Sequence, residues 1–165
     1  MRKILLVAVA VAMLTVGIAG IAVAKTFVCQ TVPCEGTNNP DQIGERSGRS
    51  KDIIRANGGD DFVNADRASG DTDLVQGKNG DDVLDVGDGD FRDNVRGGRG
   101  FDTCIVDVEN TSFGFSIDGL NRCENAFASD ESGGSNGQSS STSATTEGLR
   151  PLTAEELAAA EANYR

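Results

Sequence analysis

Residues 79–104 read NGDDVLDVGDGDFRDNVRGGRGFDTC. Three aspartates in this stretch are each followed two positions later by an apolar residue or cysteine: Asp82/Leu84, Asp93/Val95 and Asp102/Cys104. Toward the N-terminus the same unit recurs at Asp73/Val75, Asp61/Val63, Asp52/Ile54 and Asp41/Ile43. From Asp41 onward the steps between these aspartates are 11, 9, 12, 9, 11 and 9 residues, so long and short steps alternate. Two steps make one coil, and the coils from Asp41 to Asp61, Asp82 and Asp102 measure 20, 21 and 20 residues. A period of this size is the signature of stacked repeats. Aspartate suits turns, and a residue two beyond it lies on a fixed face of the following strand. The expected fold is all-β: a short parallel solenoid with carboxylates at its turns and a thin apolar stripe inside.

The turns reached by short steps carry the clearest chemistry. Gly97-Gly98-Arg99-Gly100-Phe101-Asp102-Thr103-Cys104 matches the nonapeptide repeat G-G-x-G-x-D-x-U-x, which binds calcium. Gly77-Lys78-Asn79-Gly80-Asp81-Asp82 keeps the first and third glycines, Ala56-Asn57-Gly58-Gly59-Asp60-Asp61 the third, and Gly36-Thr37-Asn38-Asn39-Pro40-Asp41 the first. Calcium takes six to eight oxygens from carboxylates and carbonyls in a flexible shell. Glycines let the backbone curl so that carbonyls converge, and aspartate supplies charge. Candidate ligands are therefore Asp41, Asp61, Asp82 and Asp102, with carbonyls around Gly59, Gly77, Gly80, Gly97, Gly98 and Gly100. The long-step turns lack the glycine triplet, and the first holds Arg46, Arg49 and Lys51. That edge is expected to be metal-poor. One exception would lie between its last two turns, which hold Asp71, Asp73, Asp88, Asp90 and Asp93; Asp73 and Asp93 are its candidate ligands.

Outward from the repeat, the chain divides by composition. Arg2-Lys3, an apolar run from Ile4 and the small-x-small end Ala22-Val23-Ala24 have the anatomy of a secretory signal peptide, residues 1–24. Retained, a run of this length would instead anchor the chain in a membrane. Either way the remainder faces the outside. Residues 25–35 form an N-terminal cap, 36–104 the repeats and 105–128 a C-terminal β cap, where Phe113, Phe115 and Ile117 alternate. Residues 129–149 are a Ser/Gly/Thr-rich, disordered linker. Residues 150–165 are a short helix with Thr153 and Glu156 as a capping box; its apolar residues are mainly alanine, so it is expected to stay solvated.

Four cysteines outside the cell pair as disulfides. Three connectivities exist, but each local pair sits at one end of the repeat, which favours Cys29–Cys34 and Cys104–Cys123. Zinc is not expected, because the chain has no histidine and no CxxC. The 26 acidic residues outnumber 15 Lys and Arg, for a net charge of −11. Such a surplus argues against nucleic acid and anionic membranes and suits divalent cations. Without histidine or a separate catalytic domain, the common nucleophile–base constellations are missing, so no enzymatic activity is expected.

With Cys34-Glu35-Gly36-Thr37, NGGDDFV (57–63), NGDDVLD (79–85), GGRGFDTC (97–104) and Cys123-Glu124, the chain resembles secreted proteins with hemolysin-type (RTX) calcium-binding repeats. It is most similar to small actinobacterial members. The resemblance covers about residues 34–124 and implies a parallel β-roll with Ca2+ held in its turns. The alternative reading is a solenoid that folds without metal and presents a flat face, through residues such as Phe62, Val83 and Asn94, to a protein or glycan.

Overall fold

A computed structural model describes residues 24–45, 48, 51–66, 70–111, 114–129 and 149–165. Residues 1–23 of the proposed leader 1–24, Arg46, Arg49, Phe113 and linker residues 130–148 lie outside these residues, as does the Phe115 side chain.

The Asp-x-apolar unit generates the architecture directly. After each aspartate the chain extends into a short strand whose second residue points inward, and the long and short steps deliver successive strands to two different sheets. One sheet receives β1 (Lys25–Val28), β3 (Asp41–Gly44), β5 (Phe62–Asn64), β7 (Val83–Asp85) and β9 (Thr103–Thr111). The other receives β2 (Cys34–Glu35), β4 (Ile53–Gly58), β6 (Leu74–Asn79) and β8 (Asn94–Arg99). These neighbours all pair in parallel, and the register is that of the coils: Ile43 lies beside Val63, Val63 beside Leu84 and Leu84 beside Cys104. On the facing sheet Cys34, Ile54, Val75 and Val95 align in the same way. The apolar stripe is thus two columns, one per sheet, and these residues are at most 4 % exposed. The protein is a parallel β-solenoid of about five turns.

The two segments read as caps turn out to be coils themselves. β1 and β2 form the first turn, closed by the Cys29–Cys34 disulfide. At the other end β9 continues into an antiparallel hairpin with β10 (Gly114–Ile117). The chain then re-enters the stack as β11 (Gly119–Asn121), parallel to β8, and β12 (Asn125–Ser129), parallel to β9. Leu120 extends one apolar column beside Val95, and Ala126 the other beside Cys104. Cys104 is bonded to Cys123, tying this last coil to its neighbour. Two disulfides suit an oxidising environment.

β13 (Leu149–Pro151) adds an antiparallel edge to β12. It leads into α1 (Ala154–Asn163), whose capping box between Thr153 and Glu156 is formed as the sequence suggests. The helix does not stay solvated: it packs on β11 and β10, and Ala160 is fully buried. The alanines that gave it little to bury also make it thin enough to lie flat on the last coil. Asn163 Nδ2 donates to the Ile117 carbonyl at 2.6 Å, and the Arg165 amide donates to Asn94 Oδ1 at 2.9 Å. Arg150 holds Glu156 at 2.7 Å and keeps that carboxyl down at about 2. The helix covers what would otherwise be an open end, where exposed strands invite further pairing. Among the described residues no helix is long and apolar enough to cross a membrane.

Candidate metal centre

Every ladder aspartate is buried, although each stands at a turn: Asp41, Asp52, Asp61, Asp73, Asp82, Asp93 and Asp102 are at most 2 % exposed. Burial of an anion is costly unless it is bonded, and each coil supplies one bond. The backbone N–H of Asp41 donates to Asp61 Oδ1 at 2.7 Å, that of Asp61 to Asp82 Oδ1 at 2.9 Å, and that of Asp82 to Asp102 Oδ1 at 3.0 Å. On the opposite edge Asp52 donates to Asp73 Oδ1 and Asp73 to Asp93 Oδ1, both at 2.7 Å. These two ladders run the length of the stack. Bonds of this kind to a charged acceptor contribute about 1.5–3 kcal/mol each.

Both ladders continue beyond Asp102, which the Asp-x-apolar pattern did not reveal. Asp102 donates to Glu124 Oε2 at 2.8 Å, and Asp93 to Asp118 Oδ1 at 3.0 Å. Asp118 is fully buried, and its second oxygen accepts from the Asp107 backbone at 2.9 Å. The signal was present as Asp118-x-Leu120 and Glu124-x-Ala126. The β9–β10 hairpin stretches the step from Asp93 to Asp118 to 25 residues, and glutamate replaces aspartate at the other rung.

On several of these aspartates one oxygen remains. The Oδ2 atoms of Asp61, Asp82, Asp93 and Asp102 are buried without a hydrogen-bond partner among the described residues, as is Oδ2 of Asp88. On the glycine edge these oxygens stack one per coil. Asp82 Oδ2 lies against Gly77, and Asp102 Oδ2 against Gly97, so closely that a Cβ at either glycine would collide with it. Gly59, Gly80, Gly98 and Gly100 adopt positive φ and shape these turns. Asp41 differs, since its Oδ2 accepts from the Thr37 backbone at 2.6 Å. Asp41, Asp61, Asp82 and Asp102 therefore form a row and are not brought together around one point.

Convergence occurs on the other edge, at the place the sequence allowed as an exception. Asp90, Asp93 and Asp118 offer carboxylate oxygens that all lie within 4.8 Å of one another, and so do Asp71, Asp88 and Asp90. Oxygens on a calcium shell of about 2.4 Å radius can be no further apart than about 4.8 Å, so both groups have the right span. The donor set is all oxygen, which suits a hard cation. Asp73 belongs to neither group; it sits one rung back, bonded to Asp52 and Asp93.

Burial and mutual repulsion shape the electrostatics. Desolvation first, and neighbouring aspartates second, push the carboxyl of Asp88 up to about 7, Asp93 to about 8 and Asp118 to about 9. On the glycine edge desolvation raises Asp61 to about 7 and Asp82 to about 6. The unfolded chain would titrate near the ordinary 3.8, so the metal-free fold holds more protons than the unfolded chain between those values. Its contribution to stability is complete below about pH 4 and is lost as pH rises through 6 to 9. In chelator the melting temperature should therefore fall from pH 5 to pH 8, and added calcium should flatten or reverse that slope. A chelated protein that melts higher at pH 8 than at pH 5 would contradict this charge distribution.

Comparison of the chain with protein-family models, curated proteins and solved structures gave no match.

Proposed function

We propose that this is a secreted, calcium-binding β-roll of the RTX type, in which Ca2+ held between stacked turns staples the fold of a non-catalytic extracellular binding or structural module. The observation that carries the reading is the convergence of carboxylates around Asp90, Asp93 and Asp118 and around Asp71, Asp88 and Asp90, where Asp93 and Asp88 each hold a buried Oδ2 without a hydrogen-bond partner among the described residues. Such oxygens are expensive when buried bare, and a divalent cation offsets both the desolvation and the repulsion. Metal binding would then be part of folding. Asp71, Asp88, Asp90, Asp93 and Asp118 would hold the ion best. Asp61, Asp82 and Asp102, with carbonyls of the neighbouring glycine turns, are second candidates.

A specific feature favours a second reading, a solenoid that folds without metal and binds a protein or glycan. Asp61, Asp73, Asp82, Asp93 and Asp102 each already accept a backbone N–H through one oxygen. The two readings separate in one experiment. Circular dichroism of the chain from Lys25 onward is followed through a calcium titration and then chelator, with magnesium as control. The expected outcome is a reversible, calcium-selective gain of β structure and of melting temperature. A chain fully folded in chelator and indifferent to calcium would sink the first reading and support the second.

A further inference from the structure

A groove over β6 and β8 departs from the acidic character of the molecule. It encloses about 290 Å³ and is lined by Gln76, Lys78, Asn79, Arg96, Arg99 and Arg122, with no carboxylate among its lining residues. Four cations gathered in one recess are unexpected in a chain with a net charge of −11. Among the described residues none of the three arginines forms an ion pair, and the only hydrogen bond from Lys78 Nζ goes to Asn57 Oδ1, at 3.1 Å. Arg55, on the same sheet, is by contrast neutralised by Glu35 at 2.7 Å.

The solenoid register makes the recess. Lys78 pairs with Gly98, Asn79 with Arg99, and Gln76 with Arg96. The Gly98 amide in turn donates to the Arg122 carbonyl at 3.3 Å. Asn121 pairs with Arg96, so Arg122 follows beside Gly97, and Lys78 and Arg122 flank the Gly97-Gly98 step from the two neighbouring coils, each about 4.8 Å away. Neither glycine has a side chain to fill the recess, which Lys78, Arg96, Arg99 and Arg122 line.

We infer that this groove binds an anionic saccharide, one carrying carboxylate or sulfate groups. Guanidinium groups present planar forks that match such oxyanions in bidentate fashion. The amides of Gln76 and Asn79 can both donate to and accept from hydroxyls. No aromatic side chain lines the groove, so it offers no platform for stacking nucleobases. The negative field of the rest of the chain opposes a long polyphosphate or an anionic bilayer. A short, hydroxyl-rich anion meets the groove without confronting that field.

This inference rests on the fold and not on the metal. The test uses the full chain in calcium and measures binding by calorimetry to a sulfated heparin-derived hexasaccharide, an oligogalacturonate, a neutral cello-oligosaccharide and a single-stranded DNA oligonucleotide. At least one of the two acidic saccharides should bind, the neutral one should not, and DNA should bind at least about tenfold more weakly. The triple variant R96A/R99A/R122A should lose at least about tenfold in affinity, roughly one missing charge-assisted contact. A control that removes three exposed cations elsewhere, K25A/K51A/R165A, should stay within about twofold, because exposed distant charges are screened. Circular dichroism confirms that both variants are folded. Equal losses in the two variants, DNA binding as tight as saccharide binding, or no binding of either acidic saccharide would each overturn the proposal. A failed calcium reading would appear separately, as wild-type dichroism that ignores calcium.

Discussion

Replacing Gly80 by alanine should cost more than about 3 kcal/mol and lower the melting temperature by at least about 10 °C. Gly80 sits in the middle of the glycine edge with φ +129°, a region closed to side chains. A Cβ there would fall on the Gly59 carbonyl oxygen of the preceding coil. The strain cannot be relieved locally, because that carbonyl belongs to a turn stacked in the same column. Gly100 repeats the geometry one coil further, with its own Cβ position on the Gly80 carbonyl. Gly70 provides the comparison: its φ is +97°, but nothing lies within 4 Å of its Cβ position. Gly70→Ala should cost only about 1–2 kcal/mol, the price of the backbone region alone. Thermal melts of both variants, in calcium and in chelator, decide the matter. Equal shifts for the two would mean that coil-to-coil contact is not what selects glycine at position 80.

The second large effect is expected at Asp118. Its two oxygens accept the backbone N–H groups of Asp93 and Asp107, and it is fully buried. Asp118→Ala would leave two donors unsatisfied in the interior, at about 1–3 kcal/mol each. It would also remove a carboxylate from the group with Asp90 and Asp93. Asp118→Asn keeps one acceptor but turns an amide nitrogen toward the other N–H, so it should be intermediate in stability while still losing a charge from the metal shell. The expected pattern in differential scanning calorimetry is a fall of at least about 8 °C for Asp118→Ala in chelator, with the calcium-induced rise blunted in both variants. A full calcium-induced rise in Asp118→Ala would remove that residue from the proposed ligand set.

Much of the fold is legible because the Asp-x-apolar unit does two jobs with one spacing. The aspartate closes a coil through its neighbour's backbone, and the residue two positions on fills a column. Both requirements recur at every turn, so Asp41 through Asp102 announce the stack. What lies beyond follows different rules. Asp118 obeys the same geometry but is separated from Asp93 by a hairpin whose length no repeat controls. Glu124 reaches the same kind of backbone donor with a longer side chain. The carboxylate convergence on the long-step edge depends on how the turns at 70–73 and 87–93 fold back, with Asp88 Oδ1 accepting the Asp90 amide and Asp90 Oδ2 the Gly70 amide. Spacing alone does not encode that path. The packing of the helix is hidden because alanine is weakly hydrophobic, yet Ala160 is fully buried, and the bare Gly119 lets the Tyr164 backbone approach the last coil.

The ladders also have a direction. In every buried rung of the glycine edge the N–H of one coil donates to the carboxylate of the next, from Lys25 on Asp41 through Asp102 on Glu124. The outer Asp60 and Asp81 accept in the opposite sense, from the Asp81 and Phe101 amides. A coil is therefore complete only as donor to its successor and acceptor from its predecessor. Duplicating one whole coil of 20 or 21 residues preserves both relations, and extra residues within a step are accommodated where they loop out as a hairpin, as between Asp93 and Asp118. The molecule can lengthen by copying its middle, but only in units of a full turn.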